Sequence, residues 1–232
     1  MQKRFEDLQK LSQRIKYALK PITVAAFADS LGYGHSIALH SASVCLAAET
    51  RIGLDEIAYG LIPIGGGAKE LYLKSTLGAS GDAELFTRLR AVYEKLSSCK
   101  IANNALLAKR IGYVSDKSPV VRDRDRLIET AKQNTLKMIA DKSITAIRKD
   151  QNIRVLGGSA YNALMEDLNA KNEAHSARKS AMLKLARVLT GGDLNQPNNV
   201  SEQYMSELEL DALMTLCRDD ENVRQLSNAW TG

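Results

Sequence analysis

Residues 21–53 most constrain the fold, because they place one helix among short apolar segments that have the composition of buried strands. Pro21 ends an amphipathic helix over 4–19, since proline lacks a backbone N–H and disfavours helical geometry in the residue before it. The predicted elements that follow are a strand at 22–27, a turn at 29–34, a helix from about 35 to 42, and strands at 44–48 and 51–53. This order in so short a stretch indicates right-handed α/β packing.

Beyond Gly67 the pattern becomes almost wholly helical. The predicted helices are 68–77, 81–97, 103–111, 123–141, 158–171, 174–190, 201–217 and 220–229. One apolar stripe for packing is expected on the helix at 123–141, formed by Leu127, Ile128, Ala131, Leu136, Ile139 and Ala140. Gly191 and Gly192 stand where a helix C-cap is expected, and Ser201 stands at an N-cap. We therefore predict an α/β, predominantly helical fold.

The composition is that of an ordinary globular chain, with 44% hydrophobic residues among 232 and a net charge of +5. Because the positive charge is dispersed and only 5% of the residues are aromatic, we expect no nucleic-acid partner. No apolar run approaches the roughly 18 residues that span a bilayer, and the N-terminus has no signal-peptide core, so we expect no membrane association. Three widely spaced cysteines match no disulfide framework, which favours a cytoplasmic location.

The segment Gly34–Ala38 is close to the nucleophile elbow of the α/β-hydrolases, with Ser36 in the nucleophile position. Such a serine needs a base, an acid that orients the base, and an oxyanion hole. The chain order of that fold leaves only His175 as the base, and the elbow ends in alanine instead of glycine. A Ser36 hydrolase is therefore the least favoured alternative.

Gly65, Gly66 and Gly67 stand directly before a predicted helix. Free backbone N–H groups in such a segment can cradle a phosphate, although the Gly-Lys-Ser/Thr of a P-loop is absent. We favour a tight turn that lets the helix pack on a strand. The three histidines have no second ligand at metal spacing, so we expect no metal site.

The strongest signal is a register of spaced matches that runs from Pro21 to Leu71. The matching segments are Pro21–Ala26, Leu31–Gly34, Ala38–His40, Ala47–Glu49, Ile52–Glu56, Gly60–Pro63 and Gly65–Gly67, followed by Ala105–Val114. In these segments the chain resembles the crotonase (enoyl-CoA hydratase/isomerase) superfamily. Its tail, Leu185–Asp193 and Val200–Tyr204, resembles the far C-terminus of the bacterial multifunctional 3-hydroxyacyl-CoA dehydrogenases of fatty-acid β-oxidation.

The resemblance implies a partial crotonase-like (ββα) core over 1–118, followed by a helical C-terminal region over 119–232. It also implies an N-terminal truncation, because the first strands of the family precede the helix that begins here near Phe5. No Gly-x-Gly-x-x-Gly follows a strand, so we expect no NAD-binding dehydrogenase domain in this chain. The implied substrate is a coenzyme A thioester, and no permanently bound cofactor is expected.

In this superfamily two backbone N–H groups stabilise an enolate oxygen while glutamates move the protons. The resemblance places one glutamate at Glu56, whereas the other position, 20 residues earlier, holds Ser36. A hydroxyl cannot activate water without a base beside it, which disfavours hydration and leaves a double-bond shift by Glu56 open. The residues expected at the oxyanion hole and the substrate are Tyr33, Gly34, Gly65 and Gly66.

A second hypothesis is a non-catalytic assembly protein, the remnant of a split or decayed gene. Missing strands would leave an unpaired sheet edge, which another chain can use as a template. We therefore expect either a homo-oligomer or a partner chain that supplies the missing N-terminal part.

Overall fold

The computed structural model describes residues 1–141, 152–170, 176–220 and 223–224. The chain begins with α1 (Gln2–Lys16), β1 (Thr23–Ala26), β2 (Asp29–Leu31), α2 (Tyr33–His40), β3 (Ser43–Ala47), β4 (Arg51–Gly53), α3 (Gly67–Thr76) and α4 (Asp82–Ser97). It continues with β5 (Ile101–Ala102), α5 (Ala105–Arg110), β6 (Val120–Val121), α6 (Leu127–Ala140), β7 (Ile153–Val155), α7 (Gly157–Ala170), α8 (Ser176–Thr190), β8 (Asn198–Val200) and α9 (Glu202–Leu216). The expected α/β, predominantly helical fold is confirmed.

The strands of the described residues form three small sheets. β1 and β6 flank β3 in a parallel sheet, with Val24 opposite Val44. β2 pairs in parallel with β4, which pairs antiparallel with β5, and β7 pairs antiparallel with β8. Because α2 begins two residues after Leu31, its N-terminus lies at the carboxyl end of β2.

The hydrophobic core extends from the strands into the helices of the second half of the chain. Tyr72 of α3 is fully buried, and its hydroxyl donates a hydrogen bond of 2.6 Å to the carbonyl of Arg154 in β7. The division at residue 118 stays a prediction, and this contact crosses it. Among the described residues, no helix combines the length and the apolar composition needed to cross a bilayer.

Two expectations about the strands are wrong. The segment 29–31 is not part of a turn but strand β2, because its backbone pairs with β4 and Arg51 contacts both carboxylate oxygens of Asp29 at 3.0 Å. The chain beyond Gly67 is not almost wholly helical, since it also contains β5, β6, β7 and β8. Strands of two or three residues are too short to leave a periodic signal in the sequence.

The apolar stripe expected on α6 does not form one packed face. Leu127 and Ala131 pack on Cys45 and Ala47 of β3. The exposed members of the stripe are Ile128, Leu136, Ile139 and Ala140. Successive residues of a helix differ by about 100° in direction, so residues 127 and 128 cannot both face the sheet.

The expected helix caps are confirmed at both ends of the segment between α8 and α9. α8 ends at Thr190, and Gly191 and Gly192 follow with φ angles of +100° and +75°. The Ser201 hydroxyl accepts a hydrogen bond from the backbone N–H of Tyr204 at 3.1 Å. The helix expected at 220–229 falls mostly outside the described residues.

A cluster of charged side chains is buried where α1, α3 and α9 meet. Lys16 of α1 lies 2.7 Å from Glu70 of α3 and 3.2 Å from Glu202 of α9. Lys69 binds Glu202 and lies 3.5 Å from Glu70, and Tyr17 donates a hydrogen bond to Glu202. The four charged side chains are at most 5% exposed. Two ammonium groups thus face two carboxylates, as buried charges require.

The opposite charges of this cluster favour the ionised forms of Lys69, Glu70 and Glu202. Burial disfavours the ionised form of Glu202, but the positive charges of Lys69 and Lys16 outweigh this effect. They hold the pKa of Glu202 at about 2. Glu209 of α9 is a third carboxyl near these lysines, and it differs from Glu70 and Glu202 because burial raises its pKa to about 7. One of its oxygens accepts a hydrogen bond of 2.8 Å from the backbone N–H of Lys69.

The pKa of Glu209 predicts a stability that depends on pH. The pKa of Glu209 in the folded chain exceeds its ordinary value of 4.5. The contribution of Glu209 to stability is therefore complete below pH 4.5 and is lost as the pH rises through about 7. Glu209→Gln cannot ionise beside Glu70 and Glu202. We expect this variant to match the wild type at pH 5 and to exceed it by about 1 to 3 kcal/mol at pH 8 in urea unfolding.

The matched control is Glu207→Gln, which changes an exposed carboxyl on the same helix. Its stability relative to the wild type should vary little between the two pH values. Equal unfolding free energies for Glu209→Gln and the wild type at pH 8 would show that Glu209 is ionised without cost.

Candidate functional site

The turn Ile64–Gly67, which ends at the first residue of α3, contacts a side chain at each of its four residues. The pairs are Ile64 with Glu56, Gly65 with Tyr33, Gly66 with His40, and Gly67 with Ser36. A methyl group on any of the three glycines would come within 3.2 Å of the paired side chain. The glycines therefore allow close packing around the turn, which favours the tight-turn interpretation over a phosphate cradle.

Glu56 is the acidic side chain of this region and begins a short 3-10 helix, Glu56–Tyr59. Its Oε1 accepts a hydrogen bond of 3.1 Å from the backbone N–H of Ile64. Its Oε2 is buried and has no hydrogen-bond partner among the described residues. The residue is 6% exposed, and burial raises its pKa to about 7. A carboxyl that titrates near neutral pH with one uncommitted oxygen is suited to accept and donate a proton.

The start of α2 lies beside this carboxyl. Gly32, with φ of +51°, precedes the helix and donates its N–H to the carbonyl of Gly53 at 2.9 Å. A methyl group on Gly32 would lie 3.4 Å from Glu56 Oε1, so the two residues are in close contact. Tyr33 and Gly34 are the first two residues of α2, where backbone N–H groups lack an intrahelical acceptor. Such N–H groups are suited to a developing negative charge.

Tyr33 also contributes its side chain to the region. The ring packs on Gly65, where a methyl group would overlap it. Its hydroxyl donates a hydrogen bond of 3.0 Å to the carbonyl of Leu8 in α1. The ring thus connects the turn to the first helix of the chain.

Ser36 lies one turn further along α2 and points at Gly67. Its hydroxyl is fully buried and has no hydrogen-bond partner within the described part of the chain. His40 Nδ1 contacts the backbone carbonyl of Ser36 at 2.7 Å, not the hydroxyl, and burial lowers the pKa of His40 to about 4. His175, the base expected for a serine hydrolase, lies outside the described residues.

His35, the other histidine of α2, is fully buried against Tyr113. Its Nε2 lies 3.3 Å from the Tyr113 carbonyl oxygen, and burial lowers its pKa to about 4. This histidine is therefore neutral near pH 7. In the ranges that the structure describes, no group of three or more His, Cys, Asp or Glu side chains is arranged to hold a metal ion.

The sequence did not indicate three features of this region, namely Gly32 against Glu56, the Ile64 N–H on its carboxylate, and Gly67 against Ser36. The run of glycines does indicate a turn. Which side chain meets which glycine, however, depends on how α2 packs against α3. Residue spacing along the chain carries no information on that packing.

The contact between Ser36 and Gly67 predicts a steric test. A methyl group on Gly67 would overlap the Ser36 hydroxyl and lie 3.2 Å from Leu54. We expect Gly67→Ala to lower the free energy of unfolding by about 1 to 3 kcal/mol. In a Ser36→Ala background the same change should cost clearly less, because the overlapping oxygen is gone.

The control for this test is Gly81→Ala, since a methyl group there meets no atom within 4 Å. It should change stability by about 0.5 kcal/mol or less. Equal costs of Gly67→Ala with and without the Ser36 hydroxyl would contradict the described packing.

The fold matches that of an enoyl-CoA hydratase. The crystal structure of such an enzyme from Mycobacterium avium subsp. paratuberculosis K-10 aligns with 98% of this chain and 70% of its own, with a TM-score of 0.57 and 15% identity. The enoyl-CoA hydratase of Bacillus anthracis aligns with 96% of this chain and 64% of its own, with a TM-score of 0.45 and 16% identity. The first of these two similarities shows that the chain has the crotonase fold, as the sequence resemblance indicated.

A curated relative extends the comparison to the sequence. A probable 3-hydroxyacyl-CoA dehydrogenase of Bacillus subtilis is 28% identical over 211 residues, which are 90% of this chain and 26% of the relative. The chain thus spans about a quarter of the length of that protein. No protein-family model matches the chain. The resemblance to proteins of this name is confirmed, and the activity of the whole relative is not transferred by it.

Proposed function

We propose that the chain binds enoyl-CoA thioesters and shifts their double bond, with Glu56 carrying the proton. The crotonase fold and the relative named as a 3-hydroxyacyl-CoA dehydrogenase support a role in the chemistry of β-oxidation. The observation that carries the proposal is the buried Glu56, whose pKa is raised to about 7 and whose Oε2 is uncommitted. No permanently bound cofactor is needed for this chemistry.

The proposed reaction moves one proton and conserves all atoms. The Glu56 carboxylate removes a proton from the α-carbon of a 3-enoyl thioester, and the electron pair delocalises onto the thioester oxygen. The backbone N–H of Tyr33, with Gly34 beside it at the start of α2, stabilises that oxygen. Glu56 then returns the proton at the γ-carbon, which leaves the 2-enoyl thioester and the ionised carboxylate.

Ser36 makes isomerisation a better proposal than hydration. Hydration needs a group that activates water, and the Ser36 hydroxyl has no hydrogen-bonded base among the described residues. A single carboxyl suffices to transfer a proton between two carbons of one substrate. Gly65 and Gly66 contact the Tyr33 and His40 side chains, and we assign them only a role in shaping the site beside Glu56.

The test compares two substrates with the same protein. Incubation with 3-hexenoyl-CoA should yield 2-hexenoyl-CoA, whereas crotonyl-CoA should give no 3-hydroxybutyryl-CoA, both followed by liquid chromatography and mass spectrometry. In D₂O, deuterium should also enter the α-position of butyryl-CoA. Hydration without isomerisation, or the absence of all three reactions, contradicts the proposal.

A non-catalytic assembly protein is the second candidate, favoured by the Tyr33 ring packed on Gly65 and by Ser36 at the other acidic position. In that case the chain would act by association, as a homo-oligomer or with a second chain. Light scattering that shows a lone monomer, together with measurable isomerisation, would reject this candidate.

A further inference from the structure

The ring of Tyr33 covers the turn beside Glu56. Tyr33 is half-buried, whereas Gly65 beneath it is buried. A methyl group on Gly65 would overlap ring carbon Cε2 and lie 2.7 Å from Cδ2, so the ring rests directly on the Gly65 backbone. The preceding residue, Ile64, donates the N–H that binds Glu56. The ring therefore lies over the piece of backbone that holds the carboxyl.

Helix α1 holds the ring in this place. The Tyr33 hydroxyl donates to the Leu8 carbonyl at 3.0 Å. Ser12, one turn further along α1, places its hydroxyl 3.3 Å from the position of a methyl group on Gly65. Two contacts from one helix thus close this side of the site, and the volume above Gly65 is filled by protein.

We infer that the Tyr33 side chain limits which acyl thioesters reach Glu56, because it excludes acyl chains that need the volume over Gly65. The inference rests on the proposed function, in which the Tyr33 N–H binds the thioester oxygen. A carbonyl held by that N–H carries its carbon chain close to the side chain of the same residue. A smaller side chain at position 33 therefore makes room for a longer acyl group.

The experiment compares Tyr33→Ala and Tyr33→Phe with the wild type. Isothermal titration calorimetry measures the dissociation constants of butyryl-CoA and decanoyl-CoA. Tyr33→Ala should bind decanoyl-CoA about tenfold more tightly than the wild type, because the longer chain gains apolar contacts in the opened volume. Its affinity for butyryl-CoA should change less than about threefold. Tyr33→Phe keeps the ring and should keep the wild-type preference.

A second measurement, made without any thioester, tests whether the Tyr33 ring shields the turn that holds Glu56. Hydrogen exchange of the Ile64 amide, which binds Glu56 beneath the ring, should be faster in Tyr33→Ala than in Tyr33→Phe. The exchange of amides in α9, distant in sequence, shows whether both variants are folded.

The outcomes separate the two proposals. If the wild type binds both thioesters and Tyr33→Ala leaves the chain-length preference unchanged, the role of Tyr33 is wrong and the proposed function stands. If no variant binds either thioester, the proposed function fails and this inference fails with it. Equal Ile64 exchange in the two variants also overturns the inference, whatever the affinities.

Discussion

Glu56→Gln is expected to lower the rate of 3-enoyl-CoA isomerisation by about 100-fold or more, the range in which a positioned acid or base contributes. Glutamine keeps an oxygen that can accept the Ile64 N–H but cannot carry a proton between two carbons. The variant should therefore bind the thioester and stay folded. The rates are compared under saturating substrate, so that binding does not enter the ratio.

The wild-type rate should also depend on pH in one direction. Glu56 must be ionised to remove the first proton, and its pKa is raised to about 7. The rate should rise between pH 5.5 and 8 and then level off. The control is Asp55→Asn, which neutralises the adjacent, half-buried carboxyl and should leave most of the rate. A rate that is equal for Glu56→Gln and the wild type assigns the proton transfer to another group.

Lys69→Met is expected to lower the free energy of unfolding by about 3 to 5 kcal/mol, the cost of removing one partner from a buried ion pair. The Lys69 side chain is 1% exposed, and its ammonium group contacts both Glu70 and Glu202. Its loss leaves Lys16 as the ammonium group that contacts both buried carboxylates among the described residues. Urea unfolding followed by circular dichroism measures the change.

The control is Lys10→Met, because Lys10 is 68% exposed and contacts Glu6 only at 3.8 Å. It should alter stability by about 0.5 kcal/mol or less. The double variant Lys69→Met, Glu202→Met should be more stable than the sum of its single changes predicts, since neither partner is left unpaired. A cost of Lys69→Met below about 1 kcal/mol would mean that the cluster contributes little.

The sequence predicted the fold from local signals and missed what depends on distant ones. The register from Pro21 to Leu71 indicated the crotonase fold, and the fold comparison confirms it. Strand β2 escaped detection because Asp29 and Ser30 have turn composition, and pairing with β4 outweighs that preference.

The candidate site shows the same limit. The resemblance singled out Tyr33, Ser36 and Glu56, and their roles remain proposals. The buried charges could not be predicted, because Lys69 and Glu202 are 133 residues apart and no spacing rule links them. The contact of Tyr33 with Leu8 likewise depends on where α1 docks.

The buried cluster has a consequence for how the chain is made. Gln9 donates to the carbonyl of Ser206, and Lys16 binds Glu202, across separations of 197 and 186 residues. On the ribosome α1 emerges before α9, and at ordinary elongation rates its partners on α9 follow roughly 10 to 40 seconds later. During that interval α1 can contact Tyr33 and Glu70, but it lacks its partners Glu202 and Ser206 on α9. The contacts between α1 and α9 thus form only once α9 has been synthesised, and the folding of this region should be complete only after residue 209 has left the exit tunnel.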